Sequence, residues 1–65
     1  MKTADAARLH NEDEVILKET GESIRVLSVE VVQVPTPSGK WGQEVVIEGV
    51  GEQSGYGEWS NKQVR

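Results

Sequence analysis

The stretch from Gly21 to Val34 (GESIRVLSVEVVQV) is one long run of β-forming residues whose apolar phase changes along its length. Ile24 and Val26 fall on one side of an extended chain. Leu27, Val29 and Val31 fall on the other, and Val32 and Val34 return to the first. Strand side chains alternate between two faces, so each change of phase requires burial on both faces or an extra residue that bends the strand. In a chain of 65 residues, such a strand is buried on both sides only where the sheet curls around it. The run therefore predicts a small, strongly bent barrel with a kink or bulge near Leu27.

The flanking segments supply further strands. Glu14–Lys18 (EVILK) places Val15 and Leu17 on one face and Ile16 on the other. Glu19–Glu22 then reads as a tight turn in which Gly21 adopts positive φ, giving a hairpin into the long strand. Pro35-Thr36-Pro37-Ser38-Gly39 ends that strand, because proline donates no ladder hydrogen bond and glycine permits the reversal. Lys40–Val50 (KWGQEVVIEGV) is the next strand, with Val45 and Ile47 opposing Val46 and with bulges or bends expected at Gly42 and Gly49. Tyr56–Trp59 reads as a short fourth strand, Ser60–Lys62 as a 3₁₀ turn, and Gln63–Arg65 as a closing fifth strand. Ahead of them, Lys2–Leu9 holds about two turns of helix-forming residues with Thr3 as candidate N-cap. Residues 1–11 are thus expected as a flank, either a short helix docking through Ala6 and Leu9 or a disordered tail, and residues 12–65 as one all-β domain.

This order of features resembles small SH3-like barrels of the KOW and Tudor type. The residues that carry the resemblance are Asp13-Glu14-Val15-Ile16 at the first strand and the Thr20-Gly21 turn into Ser23-Ile24-Arg25-Val26. The aromatic strand Tyr56–Trp59, the 3₁₀ turn and the short final strand complete it. It implies a partly open barrel of about five antiparallel strands over roughly Glu12–Arg65. Small phage and prophage proteins are similar in this respect. The basic stretch with which KOW domains contact RNA is missing here.

Charge and composition narrow the function classes. Eleven acids against seven bases leave a formal charge of −4, and the bases are scattered with no adjacent pair. Phosphate recognition needs clustered Lys and Arg, so charge alone disfavours nucleic acid. No cysteine is present, which removes disulfides and thiolate metal sites and leaves a cytoplasmic location as the expectation. Met1–Asn11 lacks the apolar core of a signal peptide, and no run approaches the ~20 apolar residues that cross a bilayer.

Catalytic constellations are equally sparse. His10 is the single histidine, lies ahead of every predicted strand and has no cysteine to share a zinc site. Glu44 and Glu48 share a strand face with Val46, and Glu58 is a candidate neighbour. A carboxylate pair of the glycosidase kind needs a water-excluding cleft, which a barrel this small does not offer. The acids of Asn11–Glu14 lack the spacing and glycine of a calcium loop. Gly49-Val50-Gly51 and Gly55-Tyr56-Gly57 open no helix and so do not form a phosphate cradle. No enzyme activity, cofactor or metal is expected.

The aromatic residues are the most informative set: Trp41, Tyr56 and Trp59, with no phenylalanine. Aromatic rings beside carboxylates suit a cationic or proline-rich peptide. Trp59 alternates with Glu58 and is expected to point inward, Trp41 follows the turn and is expected exposed, and Tyr56 fits either environment. The leading expectation is a non-enzymatic module that binds a protein or peptide through Lys40, Trp41, Tyr56, Glu58 and Trp59. Single-stranded nucleic acid stacking on Lys40, Trp41 and Tyr56 is the alternative. A third is a structural adaptor in a larger assembly such as a virion.

Overall fold

The computed structural model describes residues 1–65. Four strands, β1 (Glu14–Ile16), β2 (Ser23–Pro35), β3 (Trp41–Gly51) and β4 (Gly55–Ser60), follow a single helical turn, α1 (Thr3–Ala6). They form one antiparallel sheet in the order β1-β2-β3-β4, curled into a half-barrel compatible with an SH3-like fold. The expected fifth strand is reduced to one bridge, Leu17 to Val64. Around it the Arg65 N–H donates to the Ile16 carbonyl (2.9 Å), and the Lys18 N–H donates to the Gln63 carbonyl (2.8 Å). A 3₁₀ turn, Asn61–Gln63, takes up the residues that a longer strand would need. The chain end thus returns to β1 and partly closes the sheet.

The change of phase near Leu27 is a bulge. Val26 pairs with Gly49 and Ser28 with Glu48, which leaves Leu27 without a partner. The extra residue reverses the alternation, so Ile24 and Val26 before it share the inner face with Val29 and Val31 after it. Gly49 stands opposite the bulge, where a Cβ would lie 2.6 Å from the Arg25 carbonyl oxygen and 2.9 Å from Ile24 Cγ2. Gly42 and Gly49, expected as bulges or bends, add no residue to β3: Gly42 sits in unbroken register and Gly49 faces the step, whose extra residue belongs to β2.

The second change of phase, at Val32, involves no bulge: Val32 and Val34 lie half-buried on the outer face. Beyond Val46 no fourth strand continues, and β2 and β3 run on as a two-stranded arm to the Thr36–Lys40 turn. The arm leaves Val31 and Trp41 exposed on its inner face and Val32 and Val34 half-buried on its outer one, and the molecule is elongated at 37 × 22 × 17 Å.

Eight residues form the core: Ala6, Val15, Leu17, Ile24, Val26, Val45, Ile47 and Val64. Those from the strands all lie on the inner face, as alternation requires. The N-terminal flank is docked. Ala6 is fully buried, and Met1 and Leu9 pack against the core. Thr3 is not its cap; Lys2 occupies that position without a side-chain bond.

Candidate interaction surface

Directly opposed residues in an antiparallel sheet share a face, so the register assigns every candidate side chain. Ile47 opposes Trp59 and Val45 opposes Val31, which puts Trp59 inside with the core. Its ring lies along Gly57, where a Cβ would come within 3.1 Å of the ring edge. Glu48 opposes Glu58 and Val50 opposes Tyr56, so these residues share the outer face with Glu30, Glu44 and Ser28. Trp41 opposes Pro35 at the end of the arm, 71% exposed, with exposed Lys40 beside it at the turn.

The five candidate residues therefore do not converge on one patch. Tyr56 opposes Val50, nine residues along β3 from Trp41, or ~30 Å at about 3.3 Å per residue. Tyr56 and Glu58 remain neighbours on the outer face, Trp59 belongs to the inner layer, and Lys40 and Trp41 form a separate tip.

The outer face has a definite electrostatic character. The Tyr56 hydroxyl donates to one oxygen of Glu48, and Ser28 Oγ donates to the other (3.2 Å). Ser60 Oγ donates to Glu44 at 2.6 Å. The Glu48 bond holds the Tyr56 hydroxyl pKa above its ordinary value, aided by partial desolvation and by the charges of Glu48 and Glu58. Glu48 and Glu58 stand directly opposite one another, an unfavourable pairing of like charges that the hydroxyl donors offset. Glu14, Glu30, Glu44, Glu48 and Glu58 share this face with a single base, Arg25, opposite Glu14. None of these acids has a cationic partner within ion-pair distance. The exposed His10 ring lies 3.9 Å from the Asp13 carboxylate and is otherwise solvated.

Two polar residues that position the surface escape a reading of the sequence. Glu22, only 8% exposed, accepts hydrogen bonds from the Gln53 N–H, the Ser54 N–H and Ser54 Oγ, each at 2.7 Å. These bonds, chiefly those from Ser54, lower its pKa and fix the β3–β4 turn that leads into Tyr56. Asn61, 4% exposed, accepts from the Val45 N–H (3.0 Å) and donates to the Met1 carbonyl (2.9 Å). Its side chain takes over β3 pairing where β4 ends. Buried polar groups on a short chain have no periodicity by which to be found; only the partner reveals them.

No protein-family model matches the chain, and neither a curated protein nor a solved structure is significantly similar to it. No group of His, Cys, Asp or Glu side chains is arranged to hold a metal ion. No helix is long and apolar enough to cross a membrane.

Proposed function

We propose that this protein is a non-enzymatic interaction module whose outer sheet face, centred on Tyr56, Glu48 and Glu58, binds a cationic segment of a protein partner. The observation that supports this reading is the face itself. Five carboxylates and one arginine share it with a tyrosine that is 66% exposed, held by Glu48 and flanked by Glu58. Carboxylates without cationic partners attract Lys and Arg, and an aromatic ring adds cation–π attraction for the same groups. A Tudor-type relationship would fit such a use, and strand order is what supports it. Single-stranded nucleic acid gains less support, because Tyr56 sits among carboxylates that repel phosphate and only Lys40 accompanies Trp41 at the tip.

Titration of the isotope-labelled protein with a Lys- and Arg-rich peptide at low salt tests the reading. Amide shifts should centre on Tyr56, Glu58 and Glu48, and binding should weaken as salt screens the charges. Tyr56→Ala and Glu48→Gln should each weaken binding severalfold, whereas Trp41→Ala should leave it unchanged. Shifts confined to the arm tip, or equal binding of an acidic peptide, would rule the surface out.

A further inference from the structure

The free edge of β2 on the arm has a self-complementary arrangement of backbone groups. The Val45 N–H turns away from β2 to reach Asn61, so alternation directs the N–H and C=O groups of Trp41, Gln43 and Val45 outward and those of Gly42, Glu44 and Val46 toward β2. Their partners Val34, Val32 and Glu30 face β3 in turn. Val29, Val31 and Gln33 therefore direct three N–H and three C=O groups away from the sheet. No backbone or side-chain group of the chain bonds to any of the six. The free stretch is bounded on one side by Leu27, whose carbonyl accepts from Asn11 Nδ2 (3.1 Å). On the other it is bounded by Pro35, which has no N–H. Both bounds lie four residues from Val31.

We propose that this edge pairs with the same edge of a second copy, antiparallel and centred on Val31. A two-fold axis at Val31 sets Val31 against the partner's Val31 and Val29 against the partner's Gln33. All six free groups then form hydrogen bonds across the interface. The inner-face side chain of Val31, 46% exposed in the monomer, meets its own copy. On the outer face Glu30 is set against the partner's Val32, which keeps the two Glu30 carboxylates on the diagonal, about 7–8 Å apart. Of the devices that guard edge strands against pairing, Val29–Val34 contains no lysine, proline or bulge and one charge, Glu30. An extended peptide from another protein would satisfy the same bonds. The matching bounds about Val31 favour a second copy. The contact is short and falls below the size of stable interfaces, so the dimer is weak, in the micromolar-to-millimolar range.

Cysteine cross-linking tests the register, because the chain has no cysteine of its own. A hydrogen-bonded antiparallel pair places its Cα atoms about 5.5 Å apart, within the span of a disulfide. Val31→Cys should therefore form a disulfide dimer readily. Gln33→Cys should not, since its copy lies ~13 Å away along the strand. In analytical ultracentrifugation the unmodified protein should show a monomer–dimer equilibrium that strengthens with added salt and in Glu30→Gln. Val31→Lys should raise the dissociation constant about tenfold or more by setting like charges face to face, with an unchanged circular dichroism spectrum and melting curve. A protein that stays monomeric at millimolar concentration overturns the proposal and leaves the edge to a different partner. Equal cross-linking at both positions, or unaltered association of Val31→Lys, overturns it as well.

Discussion

Removing the Asn61 side chain should unfold this domain more readily than removing any other polar side chain of comparable size. Asn61→Ala leaves the Val45 N–H buried with no acceptor, because β4 ends one residue earlier and offers no carbonyl there. An orphaned buried donor costs about 1–3 kcal/mol, and the lost bond to the Met1 carbonyl adds about 0.5–1 kcal/mol. The lower figure suits Met1, whose carbonyl lies near the surface and regains water. The sum, about 2–4 kcal/mol, is a large part of the roughly 3–10 kcal/mol that a domain of 65 residues commands. At about 4–8 °C per kcal/mol for a domain of this size, the melting temperature should fall by roughly 8–32 °C. Urea unfolding followed by Trp59 fluorescence measures the loss. Hydrogen exchange locates it, since the Val45 amide should lose more protection than neighbouring core amides. A loss below about 0.5 kcal/mol, the low end for a net hydrogen bond, would refute the reasoning, as would a Val45 amide that stays fully protected.

Two further outcomes follow from the same geometry. Gly49→Ala forces a methyl against the Arg25 carbonyl beside the bulge and should cost about 1–3 kcal/mol in denaturant unfolding. Gly42→Ala, whose Cβ meets the Thr36 methyl at 2.9 Å and no backbone atom closer than 3.9 Å, should cost less, and equal losses would contradict the account of the bulge. Glu22 contributes on the acid side. Its pKa is lowered on folding, so its contribution is present above the unfolded value and disappears as pH falls through the folded one. Glu22→Gln should therefore be less stable at neutral pH and show a shallower acid decline in thermal melts; an unchanged acid slope would show that the Gln53 and Ser54 bonds are not the cause.

Much of the architecture was legible because it depends on alternation and turn chemistry, which are local. Val15 and Leu17, Ile24 and Val26, and Val45 and Ile47 each repeat at the strand period, and all six are buried. The positive φ of Gly21 and Gly39 follows from turns that need it. The phase reversal at Leu27 marked the bulge, an extra residue being one of the two ways in which the apolar side of a strand can switch. The reversal at Val32 had a different cause, because the number of strands covering a segment cannot be read from the segment. Likewise Gln63–Arg65 has strand-like composition, yet its capped turn leaves residues for one bridge only.

The candidate surface was less legible. That Trp59 points inward follows from its parity against Glu58. That Tyr56 stands among carboxylates while Trp41 lies at a remote tip follows from register, which is a relation between strands. Residue types and their local periodicity determined that this chain makes a curled antiparallel sheet with a kinked long strand. The tertiary structure alone decided which acids share a face with a single cation, which strand edge stays unpaired, and that Glu22 and Asn61 bind backbone far away in sequence. The physical reason is that charge pairing, edge exposure and buried hydrogen bonds are properties of two or more segments brought together, and no single segment encodes its partner.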